Sequence, residues 1–448
     1  MQIFLAVIFL FAFALADPQI LYLKTFPLGS TTNITTENGS NLYLASRDLL
    51  TDLQNITLTI DGQNYSLDTL RDVASDDGSQ YSMKLGSYFT ISTNSVNTTH
   101  FSGYLYVSTA QQAADPNFSV YVIASEVNIT KTYSGFSTTV ILNTNFGVTP
   151  FWYSPFKTSL VSNIVQDPSS KFYIYPSIPY NNYTSHSRWR TIFYNPMVFE
   201  NIAPNGSVYE TEQLFENVEP LQLSYDAWYF SSSGNISMTI SKLWVNYVQT
   251  NTTSLTTTGL LAISAESFFA NANINFLYNP NNTRTTGMFL KCQPDYPVEF
   301  TLSGVNAVLE AYFNKTETTM GTLEWSDNDG TSLLVNSSFI IPGSFSVQYF
   351  IIDTGVRIVT STSIPPTSTP VSSTQSTSSS QSTTVISTSA STQQSVSNVT
   401  NPVTSSVKST TTSSSTKIIT TSTIQTTTSE SKLLYSSIWF SLALTLIL

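Results

Sequence analysis

The chain has 448 residues, a formal net charge of −11, and only 10% charged residues. A chain this acidic cannot neutralise a phosphate backbone, which excludes a general nucleic-acid binder. Two histidines and one cysteine exclude a Cys/His zinc site and a disulfide framework, and the length leaves room for two to four domains.

Residues 3–15 form an apolar run of thirteen residues. At 1.5 Å per residue the run spans about 20 Å, short of the roughly 30 Å hydrocarbon core of a bilayer. Ala14-Leu15-Ala16 has the small-x-small pattern of a signal-peptidase site. Residues 1–16 therefore read as a secretory signal peptide cleaved between Ala16 and Asp17. Its n-region has no Lys or Arg, so the α-amino group supplies the positive charge.

Residues 17–128 read as a first β-sandwich module. Residues 46–53 predict a short helix. Ile56, Leu58 and Ile60 then alternate with Asn55, Thr57 and Thr59, and Asp61-Gly62 is the dipeptide of a two-residue hairpin turn. Tyr65 and Leu67 resume the alternation, so the five apolar side chains share one face and Asn55 and Asn64 take the other. Residues 129–248 predict a middle β-rich module, where Ile236, Met238 and Ile240 alternate with polar residues after Asn235.

Residues 249–356 predict a third module, with a second short helix over 264–272. It resembles the first. Gly39-Ser-Asn-Leu-Tyr-Leu-Ala-Ser is echoed by Gly259-Leu-Leu-Ala-Ile-Ser-Ala, and Phe118-Ser-Val by Phe345-Ser-Val. The fold class is therefore all-β: two or three tandem sandwiches, jelly-roll-like or CUB-like, with no long helical periodicity.

A Ser/Thr-rich stalk is expected over residues 357–430. Of the 70 residues from 361 to 430, 44 are Ser or Thr and none is aromatic. Such a segment buries too little apolar surface to offset its ordering entropy, and with Pro365, Pro366, Pro370 and Pro402 it reads as a disordered, O-glycosylated stalk. Fully extended it reaches about 200 Å. Residues 431–448 carry an apolar tail with no basic residues after it, the pattern of a GPI-attachment signal. A short transmembrane anchor is the alternative.

Fourteen Asn-x-Ser/Thr sequons precede the stalk: Asn33, Asn38, Asn55, Asn64, Asn97, Asn117, Asn128, Asn182, Asn205, Asn235, Asn251, Asn281, Asn314 and Asn336. Asn398 adds one within it. Composition alone predicts roughly seven.

The residue types that carry chemistry are sparse. A Ser-His-Asp triad has only His100 and His186 to draw on, and no Gly-x-Ser-x-Gly elbow accompanies either. Glu200, Glu210, Glu212, Glu216, Asp226 and Glu324 lie near aromatics and are the carboxylates a glycosidase would need. Ser75-Asp76-Asp77-Gly78 and Ser326-Asp327-Asn328-Asp329-Gly330 read as turns; neither has the twelve-residue calcium loop with its closing Glu. Cys292, flanked by Phe289 and Leu290, reads as buried and inert, with an intermolecular disulfide as the alternative. The densest aromatic stretch contains Trp152, Tyr153, Tyr173, Tyr175, Arg188, Trp189 and Arg190. These residues form either sandwich core or a ligand surface that stacks sugars and pairs acidic groups. No catalytic residue, metal site or cofactor is assigned.

The layout resembles that of nematode CUB-like surface proteins. The resemblance rests on the glycine-led alternations at Gly39 and Gly259 and the Phe-Ser-Val strands at Phe118 and Phe345, over residues 17–356. The paired disulfides of ordinary CUB domains are missing, since Cys292 stands alone. The resemblance implies extracellular recognition, in defence or matrix contact, and supplies no catalytic residues. The expectation is a non-enzymatic, GPI-anchored surface glycoprotein with an extracellular protein or glycan as partner. The alternatives are a passive structural coat and a carbohydrate-active enzyme.

Overall fold

Alternating polar and apolar residues fold as strands throughout the computed structural model. The structure describes residues 18–356 apart from 72, 76–77, 95, 132–134, 146–156, 181–189, 244–249, 265–270, 295–297, 305–307, 314–318, 326–329 and 338–342. Strands make up 59% of the described residues and helix 6%, so the protein is all-β.

The first strands are β1 (Gln19–Tyr22), β2 (Thr31–Thr35), β3 (Asn41–Ala45), β4 (Thr57–Ile60), β5 (Gln63–Ser66), β6 (Met83–Lys84), β7 (Tyr88–Ser92), β8 (Tyr104–Val107), β9 (Phe118–Ile123) and β10 (Val127–Lys131). Next come β11 (Phe136–Asn143), β12 (Ser159–Gln166), β13 (Lys171–Pro176), β14 (Phe193–Asn195), β15 (Met197–Ile202), β16 (Val208–Gln213), β17 (Leu221–Ser224), β18 (Ala227–Ser233) and β19 (Ile236–Ser241). The last are β20 (Thr250–Asn251), β21 (Thr257–Ile263), β22 (Ala272–Asn275), β23 (Asn282–Pro294), β24 (Val298–Gly304), β25 (Val308–Phe313), β26 (Thr319–Trp325), β27 (Gly330–Ser337) and β28 (Gly343–Val356).

The Asp61-Gly62 hairpin forms as its sequence predicts. Asp61 and Gly62 have φ of 50° and 79°, the left-handed pair a two-residue turn between β4 and β5 requires. Leu58 and Ile60 are buried, Tyr65 is half-buried, and Asn55 and Asn64 are exposed. On β19, Ile236, Met238 and Ile240 are likewise buried and the preceding Asn235 is exposed.

Five of the sheets are separated by four apolar cores. Sheet β2-β7-β4-β5 packs on β1-β8-β3-β6 through Leu44, Leu58, Phe89, Ile91 and Leu105. The far face of that second sheet, with Tyr43, Tyr104 and Tyr106, packs on sheet β14-β13-β18-β11-β9 through Val140 and Tyr229. That third sheet turns Phe172, Ile174, Trp228 and Phe230 to the eight-stranded sheet β10-β19-β12-β17-β21-β28-β23-β26. The eight-stranded sheet packs its other face, through Leu261, Met288 and Val347, on sheet β20-β22-β27-β24-β25. Each large side chain buried in these cores contributes about 1.5–3 kcal/mol.

The eight-stranded sheet joins what the sequence divides into a middle and a third module. β17 and β21 pair in parallel, Gln222 with Leu261. β21 is buried along its whole length because its two faces serve two cores: Leu260 and Ala262 one, Leu261 and Ile263 the other. Side chains extend the connection. The Gln348 amide accepts from Tyr194 N at 3.0 Å and donates to Tyr194 O at 2.9 Å, pairing β28 with β14 as a strand residue would. Asn195 does the same for Phe215: its Oδ1 accepts from Phe215 N at 2.9 Å and its Nδ2 donates to Phe215 O at 2.9 Å.

Three expectations are corrected. The segment Phe118–Ile123, expected within the first module, pairs elsewhere: β9 runs parallel to β11 at the edge of the third sheet. The two repeat glycines differ in role. Gly39 has φ of 97° in a turn, whereas Gly259 lies within β21 opposite Tyr349. The helix expected over 46–53 is confined to Leu50–Leu53. Of the second expected helix, 265–270 lie outside the described residues and Ala272 opens β22.

The first and middle segments meet at a charged contact. Lys157, 8% exposed, lies with Nζ 3.0 Å from Asp226 Oδ1 and 4.8 Å from the Tyr104 ring centroid. Tyr22 donates to Asp226 Oδ2 at 2.6 Å, and Tyr104 donates to the Asp226 carbonyl. Burial, then the Asp226 charge, holds the Tyr104 phenol well above its ordinary pKa.

Candidate functional site

The aromatic surface expected from sequence divides. Trp152, Tyr153, Arg188 and Trp189 lie outside the described residues. Tyr175 is core: it is 2% exposed and stacks on Tyr229 with centroids 4.7 Å apart and planes within 10°. Burial raises the pKa of both phenols. Tyr173 is half-buried and points to the same side of the third sheet, where the neighbouring strand β18 offers only Ser231 and Ser233. Over that low strand the Tyr173 and Phe136 rings stack at 6.4 Å, and Phe136 is 45% exposed. Tyr194 meets Tyr173 edge-on at 6.2 Å and Phe289 at 5.4 Å, completing a row of four rings. Phe136, Tyr194 and Phe289 were not singled out from the sequence, because only the pairing of β11, β13 and β14 within one sheet, and its packing on the eight-stranded sheet, brings them to Tyr173.

One ion pair borders the row. Lys171 Nζ lies 3.1 Å from Glu212 Oε1, a bond that raises the lysine pKa. Arg190 is exposed, its guanidinium 4.4 Å from the Tyr180 ring centroid.

The other candidates are scattered. Glu200 and Glu210 face each other across the exposed β15–β16 hairpin, a like-charge pair that weakens it. Glu216 is exposed, and Asp226 is held by Lys157 and Tyr22. Glu324 lies on β26, opposite Gly287. His100 is exposed, 3.4 Å from Asp52 Oδ2, and His186 lies outside the described residues. Gly78 N donates to Ser75 O at 2.9 Å, as in a turn, and residues 326–329 lie outside the described residues. Among the described residues no group of three or more His, Cys, Asp or Glu is placed to hold a metal ion. Cys292 is 3% exposed in the last core, and burial pushes its thiol up to about 12.

The sequons behave as a set. Twelve of the sequon asparagines lie among the described residues, and all twelve are exposed. Of the thirteen described asparagines outside sequons, only Asn94, Asn163 and Asn271 are exposed, so asparagine itself does not account for the pattern. Several carboxamides are held by their oxygen. Asn64 Oδ1 accepts from Thr59 at 2.7 Å, Asn128 Oδ1 from Thr239 at 2.8 Å, and Asn97 Oδ1 from Thr99 Oγ1 at 2.8 Å. Asn182, Asn314 and Asn398 lie outside the described residues, as do residues 1–17 and 357–448.

A family model described as a transmembrane glycoprotein matches residues 37–447. The chain belongs to this transmembrane glycoprotein family. No curated protein matches the chain. Among solved structures, an insecticidal delta-endotoxin from Bacillus thuringiensis is 13% identical with a TM-score of 0.16, over 44% of this chain and 42% of the endotoxin. The chain thus spans less than half of the endotoxin's length. An archaeal virus protein with a triple jelly roll is 9% identical with a TM-score of 0.15, over 73% of this chain and 82% of that one. A chain of Sulfolobus turreted icosahedral virus is 8% identical with a TM-score of 0.15, over 76% and 80%. Among the described residues no helix is long and apolar enough to cross a membrane.

Proposed function

We propose that this family member is a non-enzymatic cell-surface glycoprotein. Its β-sandwich ectodomain is N-glycosylated, raised on the Ser/Thr-rich stalk of residues 357–430, and anchored through the apolar residues 433–448. The observation that carries the reading is the exposure of all twelve described sequon asparagines. Glycans at these positions would meet solvent and disturb no core, and they would keep a chain with 10% charged residues soluble. Glycopeptide mass spectrometry tests this reading; finding most of the twelve sites unmodified on the secreted protein would end it.

The family description favours residues 433–448 retained as a protein span over their replacement by a GPI lipid. An anchor-cleaving phospholipase separates the two: release from the cell means lipid, and retention with an intact C-terminal peptide means a span.

For the ectodomain's task we favour extracellular recognition, with the row Phe136, Tyr173 and Tyr194 as the ligand surface. Among the described residues no sequon asparagine lies within a strand of the third sheet; Asn117 stands just before β9, its carbonyl accepting from Thr138 N of β11 at 2.9 Å. The coat reading has its own support, since both outermost sheets bear sequons: Asn33 and Asn64 on one, Asn251 and Asn336 on the other. The glycosylated ectodomain, clustered on beads and applied to a glycan array, decides between them. Binding lost in Tyr173→Ala supports recognition, and no binding at high valency favours a coat.

A further inference from the structure

The exposed face of the first sheet is built almost wholly from hydroxyl and amide side chains. Register places Asn33 of β2 opposite Thr90 of β7, Thr90 opposite Thr59 of β4, and Thr59 opposite Asn64 of β5. Two sequon asparagines therefore lie in one cross-strand row, three strand spacings or about 14 Å apart. Tyr88 breaks the pattern. It is 62% exposed and is the one aromatic on this face; every other outward position on these four strands is Thr, Ser or Asn. It stands opposite Thr35, the third residue of the Asn33 sequon. Asn33 and Tyr88 are thus diagonal neighbours on one face of adjacent strands. Such pairs lie about 7–8 Å apart, within reach of an aromatic side chain.

We propose that Tyr88 is the seat of the glycan on Asn33: the first N-acetylhexosamine ring lies back across β7 and stacks the apolar C–H face of its pyranose on the phenol ring. This rests on the reading that the sequons carry glycans. The stacking covers an aromatic ring otherwise left in water and leaves sugar hydroxyls over the Thr90–Thr59 row. The other sequon asparagine on these four strands, Asn64, lies two strands from Tyr88, and its Oδ1 is held toward Thr59. The first sheet then presents carbohydrate, not protein, to the outside.

The test uses the full chain from a glycosylating host. Occupancy of Asn33 is read by glycopeptide mass spectrometry, and thermal unfolding is measured for wild type, Asn33→Gln, Tyr88→Ala and the double variant. Each single change is expected to lower the transition by about 2 °C, and the double variant by no more than the larger single loss. Trimming the glycan to its first sugar should leave wild type unchanged. Complete removal should lower wild type by more than Tyr88→Ala, since losses from the other sites are common to both, and Tyr88→Phe should behave as wild type. Strictly additive losses, with Asn33 occupied, overturn the stacking and leave the glycoprotein reading intact. An unmodified Asn33 overturns both at this position. Tyr88 is exposed, so its replacement leaves every core unchanged.

Discussion

At the scale of single residues, much of the stability of the junctions rests on buried amides that stand in for backbone. Asn195 is fully buried and engages Phe215 N, Phe215 O and Gln166 Oε1. Asn195→Ala strands these groups, and each buried polar group left unpaired costs about 1–3 kcal/mol. A loss of roughly 3 kcal/mol in denaturant unfolding is expected, and a change under 1 kcal/mol would contradict the account. Lys291 gives a pH signature. Burial lowers its pKa from 10.5 to about 7. Between these values the unfolded chain binds a proton that the folded chain does not, so this residue's contribution to stability rises with pH across the window. Below about pH 7 both states are protonated and the contribution is level. Lys291→Met should flatten the stability profile between pH 7 and 10 relative to wild type; parallel profiles would refute the assignment.

At the scale of elements, close approach is written into β21. A Cβ at Gly259 would come within 2.8 Å of the Tyr349 ring on β28. Gly259→Ala is expected to cost about 1–3 kcal/mol by overpacking, seen as a lowered calorimetric midpoint; an unchanged midpoint would show that the ring has room to move. Local pattern was legible where one face of a strand meets water: the β4–β5 hairpin and β19 follow from alternation and from Asp61-Gly62. It was not legible where both faces are buried. Thr257–Ile263 and Lys171–Pro176 contain apolar side chains at odd and even positions alike, because two cores claim them. Alternation cannot then say which neighbours each face meets. For the same reason Tyr173 and Tyr175, two residues apart on one face, could not be told apart. Only the packing of the second sheet buries Tyr175 and leaves Tyr173 half open.

At the scale of the whole ectodomain, the shared eight-stranded sheet makes the middle and third segments one cooperative body. Calorimetry of the intact ectodomain should show them unfolding in a single transition. A fragment of residues 249–356 alone loses the cover over Leu260 and Ala262 and exposes the paired edge of β21. It should show no cooperative transition at the temperature of the intact protein. An equally stable fragment would mean that the shared sheet couples nothing.

The last strand has a mechanical meaning. β28 runs from Gly343 to Val356 between β21 and β23, and residues 357–448 follow it in the sequence. It pairs with β23 from Pro294 to Asn282 and with β21 from Ile263 to Thr257. Tension drawn along this strand loads both ladders at once, so the bonds must shear together rather than open one at a time. A tether built this way resists pulling by the speed limit on forced unfolding rather than by its equilibrium stability. If the chain is held through residues 433–448, as proposed, a pull from that end meets both ladders of β28 before any other strand.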